Sequence, residues 1–544
     1  MELMVKTVGA VVKEQAQRFP EREAMVYPER DLRLTYAEFD KETDRLAKAF
    51  MGMGIQRGEN VAIWSDNKPQ WLLSQFATGK MGAVLVTVNT NYQAAELTYL
   101  LQQSEATTLI LDEGFKGTSY LDVLRSICPS LATNNSSQVQ CESLPNLKRV
   151  ILMTEKTEPG IYKWSEFLQH AESVTDVQLE ERLETLEPDD VINIQYTSGT
   201  TGFPKGVMLT HMNVVNNGNL IGGTMKLTSE DRVCIPVPFF HCFGCVLGTM
   251  AAVTHGAAMV IVEQFDPVRV LRAVQDEKCT ALHGVPTMFI AELNHPDFSK
   301  YDTSSLRTGI MAGSTCPIEV MKQVIGDMGA SEITICYGLT EASPVISQTK
   351  TDDPIEKRVS TVGKPHPHVE VKIVDPATGG ELPAGEPGEL CTRGYHVMKG
   401  YYNNPEATAE VLDADGWLHT GDIAKLDEDG YLDITGRIKD MVIRGGENIY
   451  PREIEEFLYT HPGVSDVQVV GVPDAKYGEE LMAWIIPKEG ASLQEEDIRA
   501  FCKGSISHHK IPRYIEFTES YPMTASGKIQ KFKLREMSRQ AAVE

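Results

Sequence analysis

Short apolar runs rich in β-branched residues alternate with amphipathic segments along most of this chain, and no other feature restricts its fold as strongly. Val61-Ala-Ile-Trp64, Val84-Leu-Val-Thr87 and Thr108-Leu-Ile-Leu111 read as strands, and the segment from Tyr36 to Ala49 reads as a helix. The alternation continues through Met259-Val-Ile-Val262, Arg269 to Gln275, Ala281-Leu-His-Gly284 and Ile333-Thr-Ile-Cys336. It predicts β-α-β units on a largely parallel sheet, hence layered α/β over about the first 430 residues. At 544 residues the chain exceeds what one core supports, about 250–300 residues, so at least two domains are expected.

The texture changes twice. The Gly- and Pro-rich block from Asp375 to Gly388 separates short strands and predicts antiparallel β structure, whereas Leu131 to Gln138 is polar and reads as a surface loop. After Gly436-Arg437 comes a compact α+β unit: a turn at Gly445-Gly446, a helix from Pro451 to Tyr459, a strand Val467-Gln-Val-Val-Gly471 and a helix from Glu495 to Gly504. A boundary is therefore expected near Lys439, with a large unit over 1–436 and a small one over 437–544.

The formal charge of −25 disfavours nucleic acid and anionic surfaces as partners. Any nucleotide site here must supply its own cations and backbone donors. The N-terminal residues lack a charged segment followed by an apolar run, and no stretch is apolar over the ~18 residues of a membrane helix. A cytoplasmic address without a transmembrane segment is the expectation. Ten scattered cysteines read as reduced core thiols.

The strand at Val191 to Ile194 runs into Tyr196-Thr-Ser-Gly-Thr-Thr-Gly-Phe-Pro-Lys-Gly206. Glycines let backbone N–H groups approach phosphate oxygens, hydroxyls add donors, and Lys205 adds charge. Pro204 stands where a Walker loop requires Gly, so this is a phosphate loop of another kind. A second segment, Tyr337-Gly-Leu-Thr-Glu341, follows the strand Ile333 to Cys336, at the end where open α/β sheets place ligands. From residues alone, Met311-Ala-Gly-Ser-Thr-Cys-Pro317 is equally well an ordinary strand-to-helix turn, and Arg437 a surface ion pair.

The eleven ordered positions from Tyr196 to Gly206 match the phosphate-loop signature of the adenylate-forming superfamily, and the chain resembles that superfamily along nearly its whole length. Within it the resemblance is nearest to medium-chain-type fatty acyl-CoA synthetases, through Arg444-Gly-Gly-Glu-Asn-Ile-Tyr-Pro451 and Ser526-Gly-Lys-Ile-Gln-Lys-Phe-Lys-Leu-Arg535. The resemblance implies a large domain of layered α/β subdomains with a small β-barrel-like part, and a small mobile α+β domain hinged at Lys439. It implies ATP, Mg²⁺ and coenzyme A as the groups bound. The implied reaction makes an acyl-adenylate and then an acyl-CoA.

By the same resemblance, Thr197, Ser198, Gly199, Thr200, Thr201, Gly202 and Lys205 hold phosphates, and Gly313 and Ser314 form the adenine floor. Tyr337 packs on adenine, Thr340 reaches the α-phosphate and Glu341 binds Mg²⁺. Asp422 accepts the ribose hydroxyls, Arg437 contacts the nucleotide, and Lys528 stabilises charge during adenylation. His241 lies near the substrate carboxyl, with a packed structural histidine as the rival reading. Gly445 and Gly446 face the pantetheine channel. The formal C-x-x-C of Cys242 and Cys245 lacks a second pair and reads as pocket lining. The acid is expected to lie among Phe240 to Gly248, Gly309 to Gly313 and Val345, with Gly244, Gly248 and Gly309 leaving room. A medium-chain, alicyclic or aromatic acid fits that expectation. The rivals are a catalytically silent acyl or nucleotide sensor and an adenylating enzyme with another acceptor; the oligomeric state stays open, a homodimer included.

Overall fold

Burial on both faces dictates the main sheets. In the computed structural model, which describes residues 2–132, 139–197, 204–314, 316–444, 447–474, 476–503, 505–524 and 528–541, the strands Asn60–Trp64, Val84–Thr87 and Thr108–Leu111 are buried at every position. They lie parallel and adjacent inside an eight-stranded sheet that also holds Val191–Thr197 and Lys205–Thr210. A nine-stranded sheet contains Ala258–Ile261, Arg232–Ile235, Ala281–Gly284, Thr308–Met311 and Glu332–Gly338, all running parallel.

The helices take their positions from capping and periodicity. Tyr36–Gly52 starts at Thr35, whose hydroxyl and the Glu38 carboxylate form a reciprocal capping box. Its buried face repeats at helical spacing through Tyr36, Phe39, Thr43, Leu46, Ala47 and Phe50. Each large apolar side chain hidden this way contributes about 1.5–3 kcal/mol. Nine of the ten cysteines are buried and all ten are free thiols.

The β-barrel-like part takes the form of a four-stranded antiparallel sheet: Val369–Val374, Gly388–Gly394, Leu418–Leu426 and Leu432–Arg437. Beyond it, Val464–Asp474 and Gly478–Pro487 pair over ten positions and join Val442–Arg444, Glu447–Ile449 and Tyr514–Phe517 in a separate sheet. This C-terminal α+β unit has its own core, including Val442, Ile454, Leu458, Val469 and Ile485. Its helix Pro451–Tyr459 docks on the preceding sheet through Arg452, which meets Asp433 Oδ1 at 3.2 Å and also bonds the Ile434 carbonyl.

Candidate active site

Strand ends from both large sheets and the small antiparallel sheet converge, and the C-terminal unit closes over them. Tyr337 lies near the end of Glu332–Gly338 and its phenol donates to Asp422 Oδ2 at 2.6 Å. Asp422, on Leu418–Leu426, sits in register with Arg437 on the next strand. Arg437 Nε is 2.9 Å from Asp422 Oδ1, but the pair is not aligned as a hydrogen bond, and that buried oxygen has no donor. Burial pushes the Asp422 pKa upward, against the pull of Arg437 and the Tyr337 hydroxyl. Asp422 in turn raises the pKa of Arg437.

Glu341 lies in the turn Thr340–Ala342, where Thr340 is buried. Its Oε1 accepts from the Tyr401 hydroxyl at 2.8 Å and its carbonyl accepts from Met398 N at 2.9 Å. Tyr401 stands opposite Val207 on the strand that carries Lys205, and the Lys205 ammonium sits 4.9 Å from the centre of its ring. One aromatic side chain therefore anchors both a carboxylate and a lysine, by a hydrogen bond and a cation–π contact. Sequence reasoning did not find Tyr401, because nothing in Met398-Lys-Gly-Tyr401 signals which distant groups it meets.

Lys528 enters from the C-terminal unit, its amide donating to Thr524 Oγ1 at 3.0 Å. Its side chain crosses Gly313, which has φ +92°; a Cβ there would lie 3.5 Å from Lys528 Cε. Burial pulls the Lys528 pKa down to about 8, Arg437 adds repulsion, and Glu341 and Asp422 oppose the shift. Lys439 is lowered as well, by burial and then by Arg437 and Lys205. Lys205, Arg437, Lys439 and Lys528 thus supply the local positive charge that the acidic chain otherwise lacks.

Val237, Pro238, His241, Phe243, Val285 and Lys528 line a small pocket. Burial, and then Lys528, push the His241 pKa down to about 3, so the imidazole is neutral at pH 7. Its Nδ1 accepts from Phe243 N at 3.2 Å, which leaves the proton on Nε2. A second small cavity touches Cys245 and Val246 of the same π-helical turn and is walled by Trp71, Leu85, Ile192 and Met250.

Thr197 is paired opposite Lys205, which pins together the two ends of the Gly- and Thr-rich loop. Ser198, Gly199, Thr200, Thr201 and Gly202 lie outside the described residues, as do Gly445 and Gly446. Gly313 and Ser314 are exposed beside the Lys528 stem. The Cys242 thiol donates to Gln195 Oε1 at 2.9 Å, and Gln195 Nε2 donates to Cys245 Sγ at 3.0 Å. Burial raises both thiol pKa values, that of Cys245 to about 12. The pair lines the interior as two neutral thiols that share one glutamine. Gln195, a buried polar residue in an apolar strand, was the available signal for this bridge.

One expectation is overturned. Gly244, Gly248 and Gly309 leave no room for an acid, because the chain itself fills the space. A Cβ at Gly244 would meet Pro238 O at 2.3 Å, at Gly248 Ile235 Cγ2 at 2.9 Å, and at Gly309 Leu282 O at 1.9 Å. Gly309→Ala is therefore expected to lower stability by about 1–3 kcal/mol or more through overpacking and a strained φ of +149°. Urea unfolding of the two proteins checks it, and an unchanged midpoint would contradict the packing argument.

Residues 12–402 fit the model for the AMP-binding enzyme family, and residues 453–528 fit that for the AMP-binding enzyme C-terminal domain. The chain belongs to the AMP-binding enzyme family. Among AMP-binding relatives, YngI of Bacillus subtilis (strain 168) is 61% identical over 535 residues, covering 98% of this chain and 97% of YngI. The mitochondrial medium-chain acyl-CoA ligase ACSF2 of Rattus norvegicus is 45% identical, covering 99% of this chain and 88% of that protein. Among solved AMP-binding structures, the anthranilate CoA ligase AuaEII in complex with anthranoyl-AMP superposes with a TM-score of 0.86 at 27% identity, covering 100% and 99% of the two chains. Asp422, Arg437 and Lys439 lie between the two matched ranges, and Lys528 is the last residue of the second.

Proposed function

We propose that this AMP-binding enzyme is an AMP-forming carboxylate–coenzyme A ligase, which converts an acid and ATP to acyl-adenylate and pyrophosphate, then acyl-adenylate and coenzyme A to acyl-CoA and AMP. The observation that carries this reading is the meeting of Lys205, Arg437, Lys439 and Lys528 around Glu341 and Asp422. Joining a carboxylate to ATP brings anions together, so neutralisation and alignment must supply most of the catalysis.

The residues divide that work. Asp422 Oδ1, ion-paired with Arg437 but without a hydrogen-bond donor, accepts from a ribose hydroxyl, with Tyr337 and Arg437 holding the carboxylate. Lys205, oriented by Tyr401, faces the phosphates. Lys528 neutralises the oxygens of the attacking carboxylate and the α-phosphate, with Thr340 beside it. The neutral His241 offers its Nε2–H to the same carboxyl group. Glu341 fits Mg²⁺: it is a single carboxylate held by Tyr401, and that ion takes one or two carboxylates together with phosphate oxygens and waters. When bound, Mg²⁺ would offset charge on the phosphate oxygens. The thiol sulfur of coenzyme A then attacks the acyl carbonyl of the adenylate and expels AMP, with no covalent enzyme intermediate. We place the domain boundary at 436/437 and the hinge at Lys439, so that Lys528 withdraws and Gly445 and Gly446 arrive for the second step.

Identity with a relative named as a medium-chain ligase supports a medium-chain acid, while the anthranilate in the name of AuaEII makes an aromatic acid the second candidate. Among the described residues no helix is long and apolar enough to cross a membrane; the cytoplasmic address is our proposal, and cell fractionation tests it. The deciding experiment offers acetate, butyrate, hexanoate, octanoate, palmitate, benzoate and cyclohexanecarboxylate with ATP and Mg²⁺, scoring AMP with and without coenzyme A. Coenzyme-A-dependent AMP release peaking at hexanoate or octanoate supports the reading. ATP binding with no acid-dependent AMP from any of the seven favours the silent sensor.

A further inference from the structure

The small antiparallel sheet carries a second cluster of ligating side chains, away from the pocket described above. Glu389 and Cys391 stand two residues apart on Gly388–Gly394 and so project from one face. Cys391 is directly opposite His419 on Leu418–Leu426. His419 Nδ1 lies 3.4 Å from Cys391 Sγ and 3.0 Å from Glu389 Oε2. The three ligand atoms fall within 4.8 Å of one another.

From this arrangement we infer a binding site for one thiophilic divalent cation of the Zn²⁺ class, held by Cys391 Sγ, His419 Nδ1 and Glu389 Oε2. Tetrahedral angles at ordinary zinc bond lengths require sulfur and nitrogen about 3.5 Å apart and nitrogen and oxygen about 3.4 Å apart. The two separations from His419 Nδ1, 3.4 Å to Cys391 Sγ and 3.0 Å to Glu389 Oε2, lie within a few tenths of an ångström of these values. Mixed sulfur, imidazole and carboxylate ligands select zinc over Mg²⁺ or Ca²⁺, which prefer oxygen alone.

The surrounding shell has the anatomy of a metal site. His419 Nε2 faces Asp413 Oδ2 at 3.9 Å, a small shift from the carboxylate–histidine pairing that orients metal-bound imidazoles. Asp413 is itself fixed, since its Oδ1 accepts from Asp415 N at 2.9 Å and Trp417 N at 2.8 Å. Glu389 Oε1 accepts from Gly421 N at 3.0 Å, which leaves Oε2 for the cation. Lys372 lies opposite Cys391, but its ammonium is turned over the Trp417 ring, 4.2 Å from its centre. Cys391 is buried while His419 keeps 35% of its side chain exposed, so the ion enters from solvent and a water completes the fourth position. On binding, the thiol proton leaves to solvent and the imidazole proton moves to Nε2, toward Asp413. Because Gly421 precedes Asp422, the ion also braces the strand that presents the candidate ribose carboxylate.

Cobalt(II) reports this geometry through tetrahedral visible bands and a near-ultraviolet sulfur-to-cobalt band. Chelator-treated full-length protein is titrated with Co²⁺ and then with Zn²⁺. One equivalent of Co²⁺ is expected to raise both signals, and one of Zn²⁺ to bleach them. Cys391→Ser removes the sulfur band, and Asp413→Asn, which keeps all three ligands, weakens Co²⁺ affinity about 10–100-fold. Cys141→Ser leaves the titration unchanged. No sulfur band at one equivalent, its survival in Cys391→Ser, its loss in Cys141→Ser, or an Asp413→Asn protein that binds as tightly as the parent would each overturn the assignment.

Discussion

Lys528→Ala is expected to slow acyl-dependent ATP–pyrophosphate exchange about 10²–10³-fold, the usual loss when one preorganised charge is removed from a transition state. Conversion of supplied acyl-adenylate and coenzyme A to acyl-CoA should change little, because in the proposed cycle Lys528 has withdrawn before the thiol attacks. Equal damage to both half-reactions would mean that the lysine holds the fold or the adenylate instead. The same residue sets a pH limb. Its pKa is drawn down to about 8, so the ammonium is present below that value and lost above it. In the parent enzyme kcat/KM for ATP should therefore fall as pH rises through about 8. Bound phosphates stabilise the cation, so the corresponding limb in kcat lies at higher pH.

Asp422→Ala is expected to cost as much on the binding side. The carboxylate loses its place as acceptor for the ribose hydroxyls, and both the Tyr337 hydroxyl and Arg437 lose their partner. Hydrogen bonds to a charged group contribute about 1.5–3 kcal/mol each, so the Kd for ATP should rise about 10²-fold or more. A cycle with 2′-deoxy- and 3′-deoxy-ATP isolates the contact. The parent should discriminate against at least one deoxynucleotide, and the variant against neither. Discrimination that survives in Asp422→Ala would place the ribose elsewhere.

The architecture was legible where physics is local. Buried parallel strands leave unmistakable apolar runs, and the helix Pro451–Tyr459 begins at a proline and carries its own stripe. The roles proposed for Glu341, Asp422 and Lys528 rest on a family resemblance, and only the charge of Lys205 in its loop was read from the residues; periodicity and spacing do not say that residues so far apart in sequence meet. Tyr401 shows the limit clearly. Its position depends on strand pairing across nearly two hundred residues, and no neighbour in sequence encodes that. The glycines mislead for a related reason. A missing side chain signals close approach, but not whether a ligand or the chain's own backbone does the approaching, and at Gly244 and Gly309 it is backbone.

The docking of helix Pro451–Tyr459 through Arg452 on Asp433 and the Ile434 carbonyl bears on inhibition. With the hinge proposed at Lys439, Lys528 would reach the pocket only while that seam is closed, so a small molecule wedged beside Arg452 would strip the centre of its lysine without occupying any substrate's place. Raising the concentration of acid, ATP or coenzyme A would not relieve such a block directly. The seam is also assembled from side chains that have no part in choosing the acid, so a compound aimed at it could distinguish this protein from relatives that share its substrates.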